Sequence, residues 1–356
     1  MSIKHLFKTI YNHKIIPSFC TQPEYQKSIQ VCILGADTRI GCEPIYKIGE
    51  DLGLMDTSCM VQAYCGIESG IEKAIKCADV VVILPKEKLN TDTPIGERVM
   101  AEGHRLHSIA VKCTIFSPRA ILVNCVPPVS VTTPLISEVF KKTNFYHPGR
   151  IIGSAAFAQT KVNSLLARYQ DLDPQSVYTP LIGGPEVDLA VPLFSQAKPV
   201  EVIGKKNQMS LTAKFRGILE SEFPKILGRP NHRENSTIAE SYGISNLVAT
   251  IALGLCGDAN AHANVYLRSN AVPACKYLVS TVRFSRGGVV HNYGIPQLPK
   301  HELDLLEKSS LEIKAREQMA LEYLDYLQNH DKPTDMPPFR EKENKKQELL
   351  KQRIVR

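Results

Sequence analysis

Three short apolar segments most constrain the fold of this chain. They read IQVCIL at 29–34, ADVVVIL at 78–84 and AILVNCV at 120–126, and segments with helical periodicity lie between them. A strand that is apolar at nearly every position is buried on both faces, which is typical of a parallel sheet covered by helices on both sides. The sequence therefore predicts an α/β protein built on a parallel sheet.

A second region begins near residue 150. The pattern predicts a helix around 156–171, two strands on either side of Pro185, a helix at 237–255, strands at 263–268 and 277–284, and a long amphipathic helix at 300–329. The remainder is a lysine-rich tail interrupted by prolines, which we expect to be exposed.

The composition is that of an ordinary globular chain, with 43% hydrophobic and 22% charged residues. No apolar run reaches the roughly 18 residues that a spanning helix needs, so we expect no membrane span. The net charge is +7, but apart from both ends the basic residues are spread along the chain. A solvated surface explains them, and we expect no nucleic-acid partner.

Cysteine and histidine usage argues against a metal site. The ten cysteines form no CxxC pair, and no spacing of Cys and His fits zinc. Most are expected to be buried free thiols in a reducing compartment, because five of them lie in apolar runs: Cys32, Cys77, Cys113, Cys125 and Cys256.

The first 25 residues form a leader with two interpretations. Lys4, Lys8 and Lys14 precede the first acidic residue, Glu24, and apolar residues could form one face of a helix. This is similar to a mitochondrial presequence, but the segment lacks arginine and is poor in serine. A mitochondrial matrix protein and a cytoplasmic protein with a basic arm both stay open.

Four segments, in order, resemble the mitochondrial type of malate dehydrogenase, within the lactate/malate dehydrogenase family. They read VCILGADTRIG, CADVVVIL with PPVSVTTPLISEVFKKTNFYHPGRIIG, LDPQSVYTPLIGGPEVDLAVPLFSQAKP, and KYLVSTVRFSRGGVVHNYG. The resemblance implies a Rossmann-type NAD-binding-like domain at 26–149 and an α+β, substrate-type domain at 150–330, followed by the basic tail at 331–356. It also implies a homodimer, or a heterodimer with an active relative.

The resemblance also implies which residues would carry catalysis, and most of them are replaced. The family's turn reads Gly-Gly-His-Ala-Gly, and its proton-transferring histidine falls on Pro185. The aspartate that holds that histidine falls on Ala158, and a substrate arginine falls on Lys161, which keeps the charge but loses the planar fork. Two further arginines fall on Leu89 and Ile95.

The family also has a catalytic-site asparagine at the end of a strand, and that position falls on Pro127 in this chain. With the histidine, the aspartate and both loop arginines replaced, only Lys161 is left as a substrate-binding candidate. We therefore expect malate dehydrogenation to be lost.

The cofactor loop keeps two of the family's glycines and has lost a third. Gly35 and Gly41 fall on the glycines that make the tight turn and let the helix pack on the strand, whereas Thr38 replaces the glycine that lets backbone approach the pyrophosphate. Asp56 lies where a ribose-binding acid is expected, although a turn or cap residue is the commoner role. The segment after Gly41 is shorter than in the family, which predicts a shortened first βαβ unit. No cofactor is expected, and weak NAD binding stays open.

Three functions follow. The first is a non-catalytic binding or structural homologue of malate dehydrogenase. The second is an NAD-dependent oxidoreductase with residual or altered activity, or with a site rebuilt on His104 and His107, or on Glu186. The third, an authentic malate dehydrogenase, requires these pairings to be wrong at five positions. The more common role of such residues is that of solvated surface groups, and this is the default expectation for His104, His107, Glu186 and Asp188.

Overall fold

The computed structural model describes residues 29–35, 42–55, 60–64, 69–86, 93–199, 203–217 and 237–329. The leader, the basic tail, Gly41, Asp56 and Leu89 lie outside these ranges, so the predictions made on them stay predictions.

Nine strands form one sheet in the described part of the chain. They are β1 Val31–Leu34, β2 Val80–Ile83, β3 Ile121–Asn124, β4 Ile151–Ser154, β5 Leu181–Gly183, β6 Ala190–Pro192, β7 His262–Arg268, β8 Tyr277–Ser285 and β9 Gly288–Asn292. The order is β1-β2-β3-β4-β7-β8-β5-β6, with β9 paired to β8. The first four strands are parallel, and every pairing after β4 is antiparallel.

Eight helices are described with the sheet. They are α1 Cys42–Gly53, α2 Ser69–Ile75, α3 Ile95–Phe116, α4 Val129–Lys141, α5 Ala156–Gln170, α6 Lys205–Phe215, α7 Thr237–Leu255 and α8 Lys300–Asn329. Apolar residues on both faces of the parallel strands explain this arrangement: Val81 and Ile83 pack with α3 and α4, and Val80 and Val82 pack with α7.

The parallel sheet confirms the predicted α/β class, and its first unit is short, as expected. Between β1 and β2 the described residues contain two helices and no strand, and β2 pairs directly with β1. The sheet also passes without interruption across the expected division at residue 150, because Gly153 of β4 pairs with Tyr266 of β7.

One described helix has the length and composition of a membrane span. Its window is Ile238–Leu255 in α7, with a mean hydropathy of 1.3. Ile244, Leu247, Val248 and Ile251 on this helix are buried against the sheet, as in the core helix of a globular fold. The window is therefore weak support for a span.

Helix α8 connects the two ends of the sheet. Leu306 and Ile313 pack in the cluster around β5, β6 and β8, whereas Tyr323 and Leu324 pack in the cluster around β2 and β3. Contact with α3 is close: a Cβ on Gly103 would lie 2.5 Å from Cε1 of Tyr323.

Candidate functional site

The turn between β5 and β6 has a backbone that only glycine satisfies at two successive positions. Gly183 has φ +89°, and a Cβ there would lie 2.6 Å from the carbonyl oxygen of Leu189. A Cβ on Gly184 would overlap the side chain of Leu189. The turn is closed by hydrogen bonds from Gly184 N to Leu189 O (3.0 Å) and from Leu189 N to Glu186 O (3.0 Å).

Pro185 follows these glycines and is buried. Its ring has no titratable group, and its nitrogen carries no hydrogen. The next residue, Glu186, is the first in the turn that has a side chain capable of acid–base chemistry.

Glu186 is directed inward: one carboxylate oxygen accepts hydrogen bonds, and the other takes part in an ion pair without a hydrogen bond. Its Oε1 accepts hydrogen bonds from the backbone N and the Oγ of Ser130, both at 2.9 Å. Ser130 lies in the first turn of α4, where backbone N–H groups have no partner within the helix, so Glu186 caps α4 from another part of the chain. Oε2 lies 3.4 Å from Nη1 of Arg316 in an ion pair.

Arg316 of α8 holds two carboxylates of the turn. Its Nη2 donates to Oδ2 of Asp188 at 2.8 Å, and its Nη1 donates to Oγ of Ser130 at 3.2 Å. Burial alone would lower the pKa of Arg316, but the charges of Glu186 and Asp188 outweigh burial and raise its pKa above the ordinary value. The guanidinium is therefore a permanent charge in this site.

The default interpretation of these carboxylates as solvated groups is wrong for Glu186, because its side chain is only 18% exposed. Asp188 is 62% exposed, but it is paired with Arg316. Arg316 was not predicted as a site residue from the sequence. A signal was present: Arg316 is seven residues from Ser309 and from Tyr323, both buried on α8, which places a charge on the buried stripe of the helix.

The positions expected to complete the site lie on α5. Ala158 is fully buried and presents only a methyl group. The Nζ of Lys161 lies 5.6 Å from the ring centroid of Phe215, so the ammonium is placed over an aromatic face of α6. A substrate carboxylate would have to share this ammonium with the ring.

A buried asparagine lies three residues before Pro127, at the end of β3. Asn124 Nδ2 donates to Oγ1 of Thr132 (2.7 Å) and of Thr133 (2.9 Å), and its Oδ1 accepts from the backbone N of Val126. These contacts use both donors of the amide and one lone pair of its oxygen. The asparagine therefore holds the start of α4 in place.

At the expected cofactor end, only Gly35 of the predicted residues is described. It has φ +90° directly after β1, and a Cβ would lie 2.9 Å from the carbonyl oxygen of Leu84. This backbone conformation is one that glycine adopts readily, and because residues 36–41 lie outside the described ranges, the tight turn and its cofactor role stay predictions.

The loop after β2 is anchored by a buried carboxylate. Glu102 of α3 accepts from the backbone N of Lys86 (2.5 Å) and from Nε of Arg105 (2.7 Å). Ile95, one of the expected arginine positions, is the first residue of α3 and is half-buried.

His104 and His107 lie one turn apart on α3, as the spacing predicted. His104 is exposed and His107 is half-buried. Burial lowers the pKa of His107, and the positive charges of Lys142 and His104 lower it further. Neither histidine lies in the β5–β6 turn, so the structure does not bring them together with Glu186.

The described residues of this region provide no set of metal ligands. Within the described ranges there is no group of three or more His, Cys, Asp or Glu side chains that could hold a metal ion.

A parallel sheet covered on both faces and extended by antiparallel strands defines a Rossmann-type α/β protein. No protein-family model matches the chain. It is 27% identical over 266 residues to the peroxisomal malate dehydrogenase 1 of Arabidopsis thaliana, covering 74% of this chain and 73% of that protein. Mitochondrial malate dehydrogenase of Macaca fascicularis is 24% identical over 268 residues, covering 75% and 78%.

Solved structures share the fold. The malate dehydrogenase of Picrophilus torridus in its apo form superposes with a TM-score of 0.66 at 15% identity, covering 86% of this chain and 93% of that chain. That of Plasmodium falciparum in complex with NADH superposes with a TM-score of 0.59 at 19% identity, covering 82% and 90%. Together, sequence and structure neighbours identify the chain as a strongly diverged member of the malate/lactate dehydrogenase family.

Proposed function

We propose that this chain is a malate dehydrogenase homologue that has lost malate/oxaloacetate oxidoreductase activity and acts as a binding or structural protein. One observation carries the proposal: Pro185 stands, buried, where the resemblance places the proton-transferring histidine. Hydride transfer from malate requires a group that takes the hydroxyl proton, and such general-base catalysis contributes about 10²–10⁴ in rate.

The surroundings of Pro185 support the same conclusion. Ala158 offers no carboxylate to orient a base, and Glu186 uses its oxygens to cap α4 and to pair with Arg316. A carboxylate fixed in this way has a structural task. The turn after β5 is therefore connected to α4 and to α8 by the hydrogen bonds and the ion pair of Glu186.

Residual or altered NAD-dependent oxidoreductase activity is the second candidate. It is favoured by Gly35, whose positive φ directly after β1 is compatible with the tight turn of a dinucleotide site. NADH is bound by the solved relative from Plasmodium falciparum. Gly35 supports weak NAD binding, and the loss of the catalytic groups supports the absence of turnover.

Assembly and location are proposed from the resemblance to the mitochondrial type of malate dehydrogenase. A homodimer, or a heterodimer with an active malate dehydrogenase, is proposed because Ile238 and Tyr242, one turn apart on α7, are 57% and 41% exposed. The matrix of mitochondria is the proposed location and the cytoplasm the alternative. Light scattering of the chain alone, and mixed with an active malate dehydrogenase, tests the assembly.

The decisive experiment assays malate oxidation and oxaloacetate reduction by the full chain, with an active malate dehydrogenase in parallel. NADH is titrated into the same preparation and followed by calorimetry. We expect no turnover, and no saturation by NADH below about 1 mM. Turnover that co-elutes with the folded chain would show that the assignment of Pro185 is wrong. Tight NADH binding without turnover would keep the loss of catalysis and make the dinucleotide its ligand.

A further inference from the structure

Three basic side chains stand side by side on the antiparallel part of the sheet. In the register of β7, β8 and β9, His262 lies opposite Arg283, and Arg283 lies opposite His291. Directly paired residues project from the same face with Cβ atoms about 5 Å apart. The three therefore form a row about 10 Å long, which we call the basic row.

A β-bulge puts His291 into this row. The pairing of β8 with β9 changes between Phe284–Val289 and Arg283–His291, which leaves Val290 as the extra residue. Phe284 and Val289 pack into the core beside α7. Arg283 precedes Phe284 and so projects from the opposite face, and the bulge returns His291 to the side of Arg283.

Tyr293 ties the two ends of the row together. Its hydroxyl lies 2.9 Å from Nε2 of His262, whose Nδ1 donates to the carbonyl oxygen of Asn260 at 2.9 Å when it carries the proton. The rings of Tyr293 and His291 meet edge to face, with centroids 4.5 Å apart. His262 and Tyr293 thus support the row, and no hydrogen bond within the described residues uses the side-chain nitrogens of Arg283 or His291.

Arg283 has no acceptor among the described residues. Within the described residues its side chain makes no hydrogen bond or ion pair, and its Nε is buried without a partner. The neighbouring row is different: Asn264 accepts from Tyr178 and Thr281 and donates to Gln159. An unpaired buried donor is costly, so a movement of the half-buried Arg283 side chain that pairs this donor with an incoming acceptor is favourable.

We propose that the basic row binds a small molecule through a phosphate group. A guanidinium matches a phosphate in fork geometry, and a histidine about 5 Å away supplies a second donor or charge. Arg286, in the exposed turn that follows β8, adds positive potential.

The basic row is separate from the β5–β6 turn. Gly183 pairs with Val279, and Arg283 lies four residues further along β8, about 13 Å away. The inference therefore does not depend on the proposed function.

The test is calorimetric titration of the full chain, in a buffer without phosphate, with inorganic phosphate, glycerol 3-phosphate and malonate. We expect saturable binding of the two phosphates and weaker binding of malonate. Arg283→Gln should weaken phosphate binding about tenfold, and His291→Gln by a smaller factor. Arg119→Gln, an exposed arginine in the turn before β3, is the matched control and should leave the affinity unchanged.

A second readout covers the case in which Arg283→Gln does not fold. In the wild-type chain with labelled histidine, phosphate should shift the resonance that His291→Gln removes. Tighter binding of glycerol 3-phosphate than of inorganic phosphate identifies a phosphomonoester, and equal binding identifies the free anion. Malonate binding as tight as phosphate, no saturation, or equal affinity in wild type and Arg283→Gln would overturn the proposal.

Discussion

Arg316 and Glu186 face each other with 3.4 Å between Nη1 and Oε2, and their side chains are 10% and 18% exposed. One lies in the middle of α8 and the other in the turn after the two glycines of β5. This ion pair joins the C-terminal helix to the position beside Pro185. Glu186, which could have served as a replacement base, therefore has a structural role in this ion pair.

Replacing Arg316 by methionine should destabilise the fold strongly, because Glu186 would then be a largely buried charge without its partner. Breaking such a pair costs about 3 kcal/mol, which urea denaturation would measure. Lys314→Met, an exposed change on the same helix, should be nearly neutral. If Arg316→Met and Lys314→Met unfold at the same urea concentration, the ion pair contributes nothing.

The two glycines of the turn predict a steric penalty. Gly184→Ala should cost about 2 kcal/mol in the free energy of unfolding, because the added methyl overlaps Leu189 and one of them must move. Gly53→Ala is the control, since a Cβ at that helical position meets nothing within 4 Å. We expect it to be neutral or slightly stabilising. Equal thermal midpoints for the two variants would contradict the packing described for this turn.

Cysteine accessibility corrects one sequence-based expectation. Cys32, Cys113 and Cys125 are buried as expected, but Cys77 and Cys256 are exposed. Both exposed residues lie where a helix ends, so the apolar run before each does not bury the cysteine itself.

A thiol reagent should therefore modify Cys77 and Cys256 rapidly in the native chain. Burial raises the pKa of Cys32 and of Cys125 to about 12, so neither supplies thiolate at neutral pH. Peptide mapping after brief alkylation would measure the rates, and denatured chain is the control. Modification of Cys125 as fast as Cys77 in folded protein would contradict the burial.

His107 predicts the direction of a pH effect. Burial, with Lys142 and His104 nearby, lowers its folded-state pKa from the ordinary value of 6.5, so the unfolded chain binds this proton more tightly. Its contribution to stability is complete above about pH 6.5 and is lost as pH falls through the lowered pKa. His107→Gln should therefore lose less stability than wild type between about pH 7.5 and pH 5.5. Parallel stability curves for wild type and His107→Gln would contradict the assignment.

Several elements were predictable because their patterns are local. The apolar strands and the full lengths of α7 and α8 follow from periodicity and run length. Helix α4 is different: it contains Pro134 and many β-branched residues, so its intrinsic propensity is poor. It is helical because its side chains pack between the parallel strands and α8.

The candidate site was predictable only in part, for the same reason. The double glycine and Pro185 can be read from one segment, but the engagement of Glu186 requires Ser130 and Arg316 to come from distant segments. The β-bulge that places His291 beside Arg283 depends on how β8 and β9 pair, and the sequence of one strand does not determine that register.

Helix α8 has a consequence for biosynthesis. Its thirty residues span about 45 Å and touch the core of both halves of the sheet. A ribosome makes this helix after every other described element, at about 5–20 residues per second. Until Arg316 and Tyr323 have left the exit tunnel, the nascent chain holds Glu186 and Gly103 without the side chains that cover them. The growing polypeptide therefore cannot complete either core cluster until α8 has been made.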